Sequence, residues 1–386
     1  MSELTPKQQV VDILKNNQKF LILTHKSPDG DGLGSALALY LSLKRLGKEA
    51  TVICPDLIPS VFKFLPSSDQ IKNSLSASRQ FVISLDTSKI KADKVMYKSH
   101  DGHLEIVVTP EGDGSFAPEQ VTFSGGGFNY DTIIVLDCTD LERLGEEREK
   151  NPDLFFEIPT VNIDHHAGND NFGKINLVDL TATSTSEIMV SILEALTGDP
   201  KFIDEEIATA LLCGIVTDTG SFQNANTTPK SLTVAAQLVA QGGHQQEIIK
   251  NIFKTKSLST LRLWGRGLSN LHDEKEYKFV WTKIYKKDYL EVGASEDESS
   301  GLIDELLKTA VGVDFALLLT ERNGDLHGSL RSTNKTKDVS AIAKLFNGGG
   351  HTMASAFQIK NSSLMEQSEK IIQTIKDFQK KEAEVA

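Results

Sequence analysis

Phe20-Leu-Ile-Leu-Thr-His25-Lys-Ser-Pro-Asp29-Gly-Asp31-Gly-Leu-Gly34 is the stretch that decides the fold class. Residues 20–24 are a short apolar run with polar turn residues after it, which predicts a buried strand. The Gly-rich turn then opens into an apolar segment from about 34 to 46, a predicted helix that Gly47 stops. Strand, tight turn and helix in that order begin a parallel α/β sheet, whose ligands bind beyond the carboxyl ends of its strands.

The same alternation continues outward. Further strands are predicted at 50–54, 81–85, 132–136 and 160–163. From Ser184 the pattern turns helical; Asp204 caps one helix, and Thr228-Pro229 opens another that Gly242-Gly243 closes. Between Asp86 and Asp131 the character changes. Runs at 95–99 and 104–109 flank Asp101-Gly102, a hairpin signal, and Pro, Gly and Ser then dominate as far as Gly125-Gly-Gly127. The expected class is α/β: a larger parallel-sheet N-terminal catalytic domain over 1–255 with a β-rich insertion at about 87–130, a linker helix over 256–272, and a smaller α/β domain over 273–386. A closing polar helix places Ile371, Ile372, Ile375 and Phe378 on one face.

Bulk properties narrow the function. The net charge of -12 comes with no basic stripe, which argues against long nucleic acid as a partner. No apolar run approaches the ~20 residues of a membrane span, and the polar start of the chain has no signal core; a cytoplasmic protein with no membrane partner is expected. Cys54, Cys138 and Cys213 sit in apolar runs and read as small buried hydrophobes rather than disulfides or metal ligands.

The chemistry lies at strand ends. The first strand leads to His25, Asp29 and Asp31, run 132–136 to Asp137, run 160–163 to Asp164-His165-His166, and the apolar run 210–216 to Asp218. Several ionised carboxylates cannot share a small space unless something positive neutralises them, and divalent cations do this while using the oxygens as ligands. Carboxylates mixed with imidazole suit Mn2+, with Mg2+, Co2+ or Fe2+ as alternatives. Two such ions ~3.5–4 Å apart can share a hydroxide and clamp phosphoryl oxygens. Taken singly, each piece has a plainer reading: Asp29-Gly-Asp31-Gly as a polar turn, Asp137 as a helix cap, the His pair as a loop. The spacing G-x-G-x-G also departs from a dinucleotide loop, and two acids would repel a pyrophosphate. Asp86, after run 81–85, competes with Asp137 for the same role, while Asp140 reads as a cap. His100, His103, His244 and His272 have no acid cluster nearby in sequence and read as surface residues. In the C-terminal part, Gly348-Gly349-Gly350-His351 leaves backbone N–H groups open to an anion, and Arg331 can fork onto a phosphate.

With these motifs in this order, the chain resembles the DHH phosphoesterase family with its associated C-terminal domain, in the branch of bifunctional oligoribonucleases and phosphoadenosine-phosphate phosphatases. The resemblance rests on His25-x-x-x-Asp29-Gly-Asp31, Leu136-Asp-Cys-Thr-Asp140, Asp164-His-His166, Thr217-Asp-Thr-Gly-Ser-Phe222, Ser329-Leu-Arg-Ser332 and Gly348–His351. It implies two Mn2+ ions, one on His25, Asp29 and Asp137, the other on Asp31, Asp137, His165 and Asp218. It places Asp164 and His166 as catalytic residues beside them, and Arg331, Gly349, Gly350 and His351 on a second phosphate, in a cleft between the domains. The implied reaction is hydrolysis of short RNA or 3′-phosphoadenosine 5′-phosphate through a metal-bridging hydroxide. A phosphodiesterase for cyclic di-AMP or its linear product pApA is the alternative, and a nucleotide-binding sensor the reading outside enzymes. The insertion is longer than the family's usual chain; narrowing the cleft, a homodimer contact and partner binding are the roles open to it.

Overall fold

The computed structural model describes residues 4–75, 79–199, 201–305, 307–334 and 337–385. They form two compact units, Met1–Thr255 and Lys256–Ala386. None of the helices described is long and apolar enough to cross a membrane.

Unit 1 begins with α1 (Pro6–Asn16), which Thr5 and Gln8 start with a capping box. Next come β1 (Lys19–Leu23), α2 (Gly30–Arg45) and β2 (Glu49–Ile53). Four strands follow in the insertion: β3 (Arg79–Leu85), β4 (Ala92–His100), β5 (His103–Pro110) and β6 (Val121–Phe128). The chain then rejoins the main sheet through β7 (Thr132–Leu136), short helices α3 (Glu146–Lys150) and α4 (Pro152–Glu157), β8 (Thr160–Asp164) and β9 (Ile175–Val178). Four helices close the unit: α5 (Thr185–Thr197), α6 (Glu205–Asp218), α7 (Pro229–Ala240) and α8 (Gln245–Phe253).

The main sheet is parallel throughout, in the order β2-β1-β7-β8-β9. Both its faces are covered, which is why its strands read as continuous apolar runs. Along β1, Phe20 and Ile22 join the core built with α1, α2, α5 and α6. Leu21 and Leu23 point the other way, into a second core with Ile133, Val135, Leu144 and Leu154. The chain leaves β1 toward β2 on one side and later fills the other side with β7, β8 and β9. A topological switch therefore lies between β1 and β7, where open sheets bind ligands.

Run 81–85 departs from expectation. It belongs to β3, which pairs antiparallel with β6 in a separate two-stranded ribbon. Its two faces differ: Phe81, Ile83 and Leu85 share one, whereas on the other Val82 and Ser84 lie opposite Ser124 and Thr122, so three of those four positions are polar. A strand with one polar face cannot sit inside a doubly covered sheet. The ribbons thus start at β3, before residue 87. The main sheet takes β9 as its fifth strand, four half-buried residues too short to announce themselves by pattern.

Unit 2 contains α9 (Leu258–Ser269), β10 (His272–Glu274), β11 (Phe279–Ile284), α10 (Lys286–Val292), α11 (Gly301–Glu305), β12 (Phe315–Arg322) and β13 (Asp325–Ser332). It ends with α12 (Val339–Lys344), β14 (Gly349–His351), β15 (Ala354–Ile359) and α13 (Leu364–Val385). Its sheet runs β10-β11-β12-β13-β15-β14, parallel only between β11 and β12. Helices α12 and α13 cover one face. The segment expected as a linker, α9, buries Leu263 and Trp264 on the other face with Val280, Ile284 and Leu302, and so is part of this unit's core.

Candidate active site

The switch point brings the strand ends together. His25 follows β1 and Asp137 follows β7, and β1 and β7 are hydrogen-bonded neighbours. The His25 imidazole is almost fully buried, its Nδ1 2.9 Å from the Lys26 carbonyl. That contact makes Nδ1 the protonated nitrogen and turns Nε2 toward Asp137 Oδ2 at 3.4 Å and Asp29 Oδ1 at 3.6 Å. Asp29 caps α2, accepting from the N–H groups of Asp31 and Gly32 at 3.1 and 3.0 Å. Gly32 is required by space: a Cβ there would lie 2.9 Å from His25 Nε2.

Asp31, in the first turn of α2, has no exposed surface. Both its oxygens are held by the N-terminus of α5, Oδ2 by Thr185 N at 2.6 Å and Oδ1 by Ser186 N at 2.8 Å. A Cβ on Gly214 of α6 would stand 2.5 Å from Asp31 Oδ1, so α6 also needs a glycine to approach. Asp137 sits at φ +58°, in the left-handed region, at a strain of about 1–3 kcal/mol. Its two oxygens diverge, Oδ2 to His25 and Oδ1 to His165 Nε2 at 3.5 Å. His165 Nε2 also faces Asp218 Oδ2 at 3.2 Å and Asp31 Oδ2 at 3.9 Å. Asp218 ends α6.

Asp164, at the end of β8, is fully buried and saturated with donors. Its Oδ1 accepts from His165 N at 2.7 Å and His166 Nδ1 at 2.8 Å, and its Oδ2 from Asn169 Nδ2 at 2.6 Å. His166 is nearly half exposed, and because its Nδ1 carries the proton given to Asp164, Nε2 is left free.

The electrostatics follow from crowding. Burial alone would depress both ligand-type imidazoles, yet Asp137 and Asp29 drive His25 up to about 10. Asp137 and Asp218 likewise drive His165 up to about 11. Asp31 is pushed well above the carboxylate range by burial and by the charges of Asp137 and Asp218. Burial also raises Asp218, in spite of its contact with His165. Asp137 goes the other way, since His165 and His25 outweigh its burial and hold it below the usual range. Four carboxylates against two imidazoles leave negative charge uncompensated.

The residues fit a metal centre by a direct criterion. His165 Nε2 is buried and has no hydrogen-bond partner, although three carboxylate oxygens surround it. An imidazole nitrogen with oxygens near but unbonded, in an electron-rich space, is what a cation would complete. Two groups of converging ligand atoms are suited to one ion each, His25 with Asp29 and Asp137, and Asp31 with His165 and Asp218. A third group joins Asp137, Asp164, His165 and His166. Asp86, the rival of Asp137, is exposed at the end of β3, bonded to Ser88 N at 2.9 Å. Asn169, Thr185 and Ser186 escaped the sequence reading. Asn169 is only three residues past His166, and Ser184-x-x-Glu187 carries the capping signal of the helix start that grips Asp31.

In unit 2, Arg331 on β13 and His351 on β14 both pair with Ala354 of β15. One cross-strand row thus carries both side chains on a single face. The Arg331 guanidinium makes a two-pronged contact with Asp304 of α11, Nε to Oδ1 at 2.7 Å and Nη2 to Oδ2 at 3.0 Å. Gly349 and Gly350 lie on the exposed edge strand; Gly350 at φ +139° leaves no room for a Cβ, which would meet Ala354 O at 2.6 Å.

Comparison with known proteins agrees with this architecture. The chain matches the model of the DHH family, N-terminal domain, over residues 19–215, and of the DHHA1 domain over residues 278–381. It is 26% identical to the bifunctional oligoribonuclease and PAP phosphatase NrnA of Thermus thermophilus, over 95% of this chain and 93% of that protein. It is 28% identical to the Bacillus subtilis protein of the same name, over 70% of this chain and 87% of that one. The cyclic-di-AMP phosphodiesterase GdpP of Geobacillus thermodenitrificans is 24% identical over 95% of this chain, which spans 48% of that larger protein. In fold, an exopolyphosphatase-related protein from Bacteroides fragilis superposes with a TM-score of 0.68 at 23% identity, covering 97% of this chain and 96% of its own.

Proposed function

The chain belongs to the DHH family, and on that footing we propose that it hydrolyses short oligoribonucleotides and 3′-phosphoadenosine 5′-phosphate. It is a metal-dependent hydrolase of phosphate esters. The observation that carries the metal chemistry is the unbonded, buried His165 Nε2 among three carboxylate oxygens. The substrate class draws its support from two relatives named for those two activities, one matching the chain nearly end to end and the other over 70% of it. A net charge of -12 without a basic stripe also favours a small substrate over a long polymer.

In this reading His25, Asp29 and Asp137 hold one divalent ion, Mn2+ by preference, and Asp31, Asp137, His165 and Asp218 hold the other. The bound pair supplies Lewis-acid polarisation of a phosphoryl oxygen and acidifies water. The protein's residues do the rest. Asp137 presents one oxygen to each group of ligands, and the α5 N-terminus keeps Asp31 from rotating. Asp164 fixes the His166 ring through Nδ1 and raises its pKa. His166 can then carry a proton at Nε2 for the leaving oxygen. Within unit 2, Arg331 and His351 hold a second, non-scissile phosphate, with Gly349 and Gly350 lending backbone N–H groups.

The likeness to a cyclic-di-AMP phosphodiesterase supports a second reading, cleavage of cyclic di-AMP or pApA. A substrate panel on Mn2+-loaded protein separates the two. The expected result is turnover of di- to pentaribonucleotides and of 3′-phosphoadenosine 5′-phosphate, with cyclic di-AMP much slower. Cleavage of cyclic di-AMP alone would install the second reading. Nucleotide binding with no hydrolysis of any substrate would make the protein a sensor.

A further inference from the structure

The insertion carries an apolar surface that nothing among the described residues covers. In the ribbon β4–β5 the cross-strand pairs are Val95 with Val108, Tyr97 with Ile106 and Ser99 with Leu104, so these six side chains share one face. Tyr97 is 78% exposed, Val95 64% and Leu104 62%. The opposite face bears the apolar pair Met96 and Val107 between Lys94, Thr109, Lys98 and Glu105, an ordinary mixed surface. The ribbon β3–β6 repeats the arrangement: Phe81 stacks on Phe123 at 6.1 Å, with Ile83 beside them, and both rings are exposed.

A two-stranded ribbon is marginal in water unless its apolar face is packed against something. Nine and eight residues at ~3.3 Å each make β4–β5 a strip about 30 Å long. Two strands ~5 Å apart make such a strip about 10 Å wide and roughly 300 Å2 in area, and with the slightly shorter β3–β6 the two ribbons offer about 550–600 Å2 per molecule. Doubled, that reaches the ~1,200 Å2 at the lower bound of stable interfaces. Charge selects the occupant. The whole chain is at -12, so two copies repel over most of their surface. Residues 91–110 are the exception, with Lys91, Lys94 and Lys98 balanced by Asp93, Asp101 and Glu105. Their apolar face bears no charge at all. A nucleic acid would find no net positive field there.

We propose that the apolar faces of the insertion, led by β4–β5, pack against the same faces of a second copy of this chain to form a homodimer. The contact is isologous, the same patch on both partners. It does not depend on the substrate assigned above.

The test is sedimentation and light scattering of the full chain loaded with Mn2+. The wild type is expected at twice the chain mass and the double variant Tyr97→Lys/Ile106→Lys at the monomer mass. Both positions are exposed in the single chain, so retained Mn2+ binding by the variant verifies that unit 1 is folded. Met96→Lys, on the other face, is expected to remain dimeric. Hydrogen exchange over residues 92–110 should be slowed in the wild type and fast in the double variant. A wild-type monomer would overturn the proposal, including one that captures single-stranded RNA or another protein on Tyr97. So would a dimer that survives the double substitution, or one that the Met96 change disrupts equally.

Discussion

At the scale of single residues, chemistry and scaffolding divide between two histidines adjacent in sequence. His165 directs Nε2 into the carboxylate cluster, whereas His166 is tied by Nδ1 to Asp164 and keeps Nε2 free. Substituting His166 should therefore leave the ions in place and slow the chemistry. We expect His166→Ala to lower kcat by roughly 10²–10⁴-fold, with Mn2+ stoichiometry in a calorimetric titration unchanged. Loss of an ion in that variant would reassign His166 as a ligand. These side chains were legible in the sequence because each ends an apolar run, and a strand end in an open parallel sheet is a functional address. Asn169 was not, although it donates to Asp164 Oδ2 at 2.6 Å and to Cys138 O at 3.0 Å. An Asn in a loop carries no periodic signal, and its role appears only once Cys138 and Asp164 are neighbours in space. The pairing of Arg331 with Asp304 was hidden for the same reason, the two being on different elements 27 positions apart.

Among elements, the first turn of α2 and the first turn of α5 build the site from backbone. Gly32 illustrates how tightly. Alanine would favour the helix by up to about 1 kcal/mol, but its Cβ would stand 2.9 Å from His25 Nε2 and 2.5 Å from Thr24 Oγ1. Displacing the imidazole outweighs the helical gain at the site, though not in the fold. Gly32→Ala is expected to melt within a few degrees of the wild type while weakening one Mn2+ site at least tenfold and leaving the other. Equal weakening of both sites in a Mn2+ titration would show that α2 itself had shifted. The elements themselves were mostly readable, β1, β2, β7 and β8 and the helices α2, α5, α6, α7 and α9 by pattern, whereas α8 and α10 were not. One departure is instructive: Phe81-Val-Ile-Ser-Leu85 has the length and apolar content of a buried parallel strand. Which sheet it joins is decided by β6, whose Thr122 and Ser124 make the far face polar. Local pattern does not specify a partner 40 residues away.

Across the whole molecule, the chain divides into two units with separate cores. Every proposed cation ligand belongs to unit 1, so the ions should stabilise that unit alone. At a hundredfold excess over Kd each bound ion adds about 2.7 kcal/mol, roughly 5–10 °C for a unit of this size. Calorimetry with and without chelator should show one transition moving and one fixed; a common shift of both would mean the units unfold together. Asp137 sends one oxygen toward each ligand group, and everything said of catalysis requires that both groups be filled. The direct measurement is the number of Mn2+ ions bound per chain, by elemental analysis after equilibrium dialysis, for the wild type and for Asp137→Asn. The account expects two ions in the wild type and the loss of both in the variant. A wild type that binds one ion or none, or a variant that still binds two, would contradict it.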